Sequence, residues 1–113
     1  MSGCPFCAIA AREAPADIVG DWGNALAIVP LNPVTPGHVL VLPAVHVTSA
    51  VENPDVTAMT MRYAAKYARE NAADCNIITS VGAAATQTVR HLHIHVVPRR
   101  DGDGLALPWS EEE

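Results

Sequence analysis

The chain has 113 residues, a formal net charge of −5 and only five Phe, Trp or Tyr residues. That length suits one domain with a modest core built mostly of Val, Ile, Leu and Ala. The negative balance gives no electrostatic case for nucleic acid, and no apolar run reaches membrane-spanning length. The N-terminus has no charged region followed by an apolar one, so a soluble cytoplasmic protein is the expectation. Three cysteines, two of them close together, suggest metal or thiol chemistry over a disulfide framework.

In chain order, Cys4-Pro5-Phe6-Cys7 comes first. A short helix is predicted over Ala8–Glu13, ended by Ala14-Pro15. Asp17–Trp22 and Ala25–Val29 read as two strands around a turn at Gly23-Asn24. Asn32–Gly37 is a loop, because its prolines lack donors and restrict the residues before them; it delivers His38. Val39–Leu42 is a continuous apolar run, the pattern of a strand covered on both faces. Pro43 ends it, and His46 follows in a turn.

The main helix starts at Asn53-Pro54-Asp55, where cap, first-turn proline and N-terminal carboxylate coincide. Val56, Met59, Tyr63, Ala64, Tyr67 and Ala68 fall on its inner face and Arg62, Lys66 and Arg69 on its outer one. Asn76–Val81 reads as a strand with Cys75 at its start, where that cysteine is best taken as a small buried hydrophobe. Gly82–Thr86 is small and flexible, Val89–Val97 is a strand ended by Pro98, and Gly102–Pro108 is a loop. Trp109 reads as a late hydrophobic anchor, and residues 110–113 as an acidic, solvated tail. About five strands, one long helix and one short helix give a single α+β domain over residues 1–113. The sheet is antiparallel, because most connections are too short for crossovers.

The richest stretch is His91-Leu92-His93-Ile94-His95-Val96-Val97. Alternation puts the three histidines on one strand face and Leu92, Ile94 and Val96 on the other. Three histidines in register exceed what packing asks of one face. Same-face neighbours are roughly 6.5–7 Å apart, so His91 and His95 lie roughly 13 Å apart. One metal with bonds of about 2.1 Å to nitrogen cannot take all three rings. Their work must be divided.

This stretch, with Gln87-Thr88-Val89 before it and Pro98-Arg99 after it, resembles the histidine triad (HIT) family. Pro36-Gly37-His38-Val39-Leu40-Val41-Leu42-Pro43, His46 and Gly82 carry the resemblance further, from Cys4 to about Trp109. The branch it is most similar to is the Hint-like proteins and their bacterial hydrolase relatives. The resemblance implies a homodimeric nucleotidyl hydrolase or transferase acting at the α-phosphate of nucleotide phosphoramidates or dinucleoside polyphosphates. By the family's register His93 is the nucleophile and passes through a covalent nucleotidyl-histidine. His95 and His38 flank the phosphate, with Gln87 and Thr88 beside it and the leaving group. The chemistry is reasonable in itself: a neutral imidazole avoids the repulsion that an anionic nucleophile meets at phosphorus and leaves a labile phosphoramidate. Phe6, Ile9, Ile28 and Leu31 would line the base, and Ser80 stands where relatives hold the phosphate with asparagine. Taken singly, each of these apolar residues reads as core.

Cys4, Cys7, His46 and His91 form a two-sulfur, two-nitrogen set suited to tetrahedral zinc. Several bacterial relatives carry a structural zinc there, so the resemblance sends His91 to metal and leaves His93 for phosphorus. The chain also departs from the family. Pro30 stands where many relatives have an acidic ribose clamp, and no Asp or Glu occurs from Trp22 to Val51. Thr86 occupies a place often held by glycine, where a positive φ is costly. Two rival readings remain. One is a non-catalytic, zinc-containing nucleotide-binding or adaptor module on the same fold. The other is a dithiol redox protein built on Cys4 and Cys7. The second needs a strand before a helix-opening Cys-x-x-Cys motif, and only three residues precede Cys4.

Overall fold

Two layers of apolar side chains, one on each side of a single sheet, organise the molecule. A computed structural model describes residues 3–108; Trp109 and the acidic tail lie outside the described residues. Helix α1 (Pro5–Ala10) is followed by strands β1 (Asp17–Asp21), β2 (Ala25–Val29) and β3 (Val39–Pro43). Helix α2 (Pro54–Asn71), strand β4 (Asp74–Ile78), a 3-10 turn (Ala83–Ala85) and strand β5 (Ile94–Arg99) complete the order. The five strands form one antiparallel sheet, β1-β2-β3-β5-β4. The predicted antiparallel sheet, with one long and one short helix, is therefore present.

Alternation along the strands builds both layers. Ala27, Val39, Val41, Leu92, Ile94 and Val96 face α2 and pack with Ala64 and Ala68. Leu26, Ile28, Leu40 and Leu42 face the other way and pack with Phe6 of α1. All five residues of β3 are buried, as its continuous apolar run requires. Helix α2 begins where the sequence places it: the Asn53 side-chain oxygen accepts the Asp55 and Val56 N–H groups, each at 3.1 Å. Its inner face differs in one detail. Thr60 is wholly buried and donates its hydroxyl to Val56 O at 2.8 Å. Met61 packs against the core there, while Met59 is half-buried outside that cluster. No described helix is long and apolar enough to cross a membrane.

Five elements differ in extent from the sequence expectation, the smallest change being that strand β3 takes in Pro43, which pairs with Ala25. Helix α1 starts at Pro5 and ends at Ala10, not Ala8 and Glu13. Cys4 caps it by accepting the Cys7 N–H on sulfur at 3.4 Å, and Arg12 ends the segment at a φ of 63°. Strand β1 stops at Asp21, whose carboxylate accepts the Gly23 N–H at 2.9 Å to set the turn. Strand β4 spans Asp74–Ile78, so Cys75 lies within it and Thr79–Val81 lead away. Strand β5 spans Ile94–Arg99 instead of starting at Val89. The Leu92 N–H goes to Val47 O at 2.8 Å, and the Gln87 side chain ties Thr48 O to Val89 O. Leu92 and Gln87 are thus bonded to the segment after β3, where a regular ladder would have paired the backbone with a neighbouring strand. Pro98 continues β5 because it comes two residues after the last β3 pair, Val39–Val96, where the strand is paired on one side only.

Candidate functional site

The alternation of the histidine stretch survives its loss of regular pairing. Leu92, Ile94 and Val96 enter the α2 layer. The rings of His91, His93 and His95 lie on the α1 side, where Phe6 meets His91 and His93 edge-on with centroids 5.8 and 5.1 Å apart. His38, at the end of the proline loop, brings its ring to His95. The histidines then separate into two groups.

The first group is Cys4, Cys7, His46 and His91, whose four ligand atoms all lie within 4.8 Å of one another. Tetrahedral zinc with bonds of about 2.05 Å to nitrogen and 2.3 Å to sulfur has N–N edges of about 3.3 Å and S–N edges of about 3.6 Å. Here the two Nδ1 atoms of His46 and His91 are 3.2 Å apart. The S–N separations are 3.4 Å (Cys4–His91), 3.3 Å (Cys7–His46) and 3.6 Å (Cys7–His91). His91 is wholly buried, and its Nε2 lies 2.9 Å from Pro43 O. A carbonyl can only accept, so that nitrogen carries the proton and the Nδ1 lone pair is left for a cation. Burial pushes the Cys7 thiol up, with Cys4 adding to the effect, and pushes His91 down. A divalent cation reverses this penalty on the thiols. The donor set, the spacing and the tautomer all fit zinc.

The second group is His38, His93 and His95. The Val34 N–H donates to His38 Nδ1 at 3.1 Å, so a neutral His38 holds its proton on Nε2. That nitrogen is 3.0 Å from His95 Nδ1, which must accept, leaving the His95 proton on Nε2. Burial, then the neighbouring His93 and His38, push His95 down to about 4; burial lowers His38 as well. Both rings are neutral at pH 7. His93 is set the opposite way: its Nδ1 lies 2.8 Å from His91 O, so Nδ1 is the donor and Nε2 bears the lone pair. The rings of His93 and His95 are 5.3 Å apart. A free imidazole lone pair thus sits beside a neutral N–H donor. That pairing suits attack on an electrophile whose oxygens gather negative charge.

The remaining expected residues are distributed unevenly. Phe6 and Ile28 are buried in the α1-side layer and Ile9 packs against it, whereas Leu31 is 98% exposed on the proline loop. Ser80 is half-buried just past β4. The buried Gln87 side chain accepts the Gly82 N–H at 2.9 Å and donates to Thr48 O and Val89 O, which clamps its loop. Thr86 beside it has a φ of 71°, the left-handed conformation expected to be costly there. Thr88 is exposed and lines a cleft of about 360 Å3 with Cys4, Pro5, His46, Thr48 and Arg90, among others. Cys4-Pro5-Phe6-Cys7 does open a helix, yet the sheet holds no parallel pair among the described residues. The backbone partners of the rings, and a bond of 2.8 Å from the Thr79 hydroxyl to His93 O, carry no sequence signature.

Known proteins resemble this chain in sequence and in fold. The HIT domain family model matches residues 11–102. An uncharacterized HIT-like protein of Mycobacterium tuberculosis is 42% identical over 110 residues, covering 92% of this chain and 76% of the relative. The adenosine 5'-monophosphoramidase of Saccharomyces cerevisiae is 30% identical over 115 residues, covering 99% of this chain and 73% of the yeast protein. Among solved structures, a zinc-bound histidine triad family protein from Mycobacterium smegmatis superposes with a TM-score of 0.81 at 40% identity, over 92% of this chain and 80% of that one. With a family match across most of its length and relatives at this identity, the chain belongs to the histidine triad family.

Proposed function

We propose that this protein is a zinc-containing nucleotidyl hydrolase or transferase. In this reading His93 Nε2 attacks the α-phosphate of a nucleotide phosphoramidate or dinucleoside polyphosphate. The bond from phosphorus to the leaving group breaks as the Nε2–phosphorus bond forms. Water then cleaves the nucleotidyl-His93, releasing the nucleoside monophosphate and restoring the ring. The observation that carries the reading is the opposed setting of the two rings. His91 O fixes the lone pair of His93 on Nε2, while the chain from Val34 through His38 leaves the His95 proton on Nε2. That donor can meet charge growing on the phosphate oxygens without a change of protonation. Gln87 would hold the loop that brings Thr88 to the leaving group. Phe6, Ile9 and Ile28 would take the base against the α1-side layer, with Leu31 closing over it and Ser80 near the phosphate.

Cys4, Cys7, His46 and His91 would hold zinc as a closed, structural site that fixes α1 and the His91 backbone. A homodimer in the cytoplasm is the setting the family suggests. The yeast relative's monophosphoramidase activity supports phosphoramidates as the first substrates to try. Pro30 follows β2 where an acidic clamp on the ribose would stand, and it offers neither carboxylate nor N–H. The sugar should therefore matter little. A panel of adenosine and deoxyadenosine 5'-phosphoramidates tests the reading. The expected result is turnover of both sugars, within about fivefold of each other, since a single hydrogen bond to the sugar is worth up to about 1 kcal/mol. Nucleotide binding without turnover would identify the adaptor module instead. Turnover that tracks reversible Cys4–Cys7 oxidation and survives loss of His93 would identify the dithiol protein.

A further inference from the structure

We propose that Thr79 is a positioning residue for His93, an inference that rests on His93 being the nucleophile. The β4–β5 ladder ends at the pair Ile78–His95. Beyond it the chain turns away towards Gly82, whose φ is 90°, and the backbone of β4 no longer follows the histidine stretch. The His93 carbonyl lies just past this last pair. A side chain meets it there: the Thr79 hydroxyl donates to it at 2.8 Å. Thr79 is half-buried and so partly shielded from competing water.

His93 is consequently held at two ends. Its ring is tied through Nδ1 to His91 O, and its carbonyl is tied through Thr79 to the end of β4. The first bond sets which nitrogen carries the lone pair. The second fixes the peptide plane from which the ring projects, and hence where Nε2 points. Without the hydroxyl, the carbonyl is free to turn towards solvent and the ring bond to His91 O must hold the geometry alone. Thr79 has no place in the chemistry itself: it acts through the backbone of His93.

The test compares Thr79→Val, which keeps the branched shape and removes the donor, with Thr79→Ser, which keeps the donor. In the zinc-loaded protein with adenosine 5'-phosphoramidate, Thr79→Val should lower kcat about tenfold with KM within about twofold, and Thr79→Ser should restore most of it, because small misplacements of a reacting atom are costly. A long-range proton–nitrogen correlation of the histidine rings, with His93→Asn to assign the signal, examines the same point without substrate. Wild type and Thr79→Ser should show His93 in the single Nδ1-protonated tautomer, and Thr79→Val a mixture. A Thr79→Val protein with wild-type kcat and one His93 tautomer would overturn the proposal, as would equal losses in both variants. If wild type turns nothing over, the nucleophile reading fails, and the tautomer comparison still decides whether Thr79 positions the ring.

Discussion

His91 and His93 are two residues apart, touch the same Phe6 ring, and are prepared for different work. His91 donates from Nε2 to Pro43 O and turns Nδ1 towards two sulfurs and a second imidazole. His93 donates from Nδ1 to His91 O and keeps Nε2 free. The residue type does not decide the role. A backbone carbonyl at one nitrogen or the other does, by fixing the tautomer. The first arrangement offers four protein ligands, the complement a structural metal site takes. The second is left with one lone pair and one donor to spare.

The comparison makes a sharp demand: changes at His93 and His95 should remove activity and spare stability, and changes at the sulfur site should do the reverse first. The largest effect belongs to His93→Ala, which should lower turnover of adenosine 5'-phosphoramidate by at least about 10³-fold. Its zinc content and thermal midpoint should stay near wild type, as metal analysis and a melting curve would show. Next comes His95→Asn, which removes the Nε2 donor and should lower kcat by about 10²–10³-fold with zinc retained. Cys7→Ser should lose the metal. Because metal binding adds directly to folding free energy, it should also lower the thermal midpoint by about 10 °C or more. A Cys7→Ser protein that melts like wild type would erase the distinction between the two groups.

Acid should sharpen it further. The folded His95 titrates at about 4, against 6.5 for the free side chain. The unfolded chain therefore binds this proton more readily. Its contribution to stability is complete above pH 6.5 and drains as pH falls towards 4. Urea midpoints of wild type should fall across that window, and His95→Asn should lose part of the slope. The smallest effect belongs to a residue that is a member of neither group. Asn53→Ala removes the α2 cap and should cost about 1 kcal/mol in a urea titration, with kcat and zinc unchanged.

These differences also explain what the sequence disclosed. Asn53-Pro54 set the start of α2 because cap and first turn are local chemistry, and β3 was legible because its apolar run is continuous. The four zinc-type ligands were legible as residue types, with the family supplying the choice of histidines. The extent of the histidine strand was not, since the Leu92 N–H leaves for Val47 O, a partner 45 positions away. The tautomers were out of reach for the same reason. Val34 N–H, His91 O and Pro43 O become the ring partners only once the chain is folded. Pro5 and Cys4 did carry the signal for an earlier α1, with proline at the first helical position behind a capping side chain.

The most direct measurement is the covalent state of the protein during turnover. Wild type and His93→Ala would each be mixed with adenosine 5'-phosphoramidate, quenched in alkali to preserve a phosphorus–imidazole bond, and weighed intact and as peptides. The account predicts an adenylyl group on His93 in wild type and no adduct in the variant. Turnover by wild type with no adduct at any quench time, or an equal adduct in His93→Ala, would contradict it.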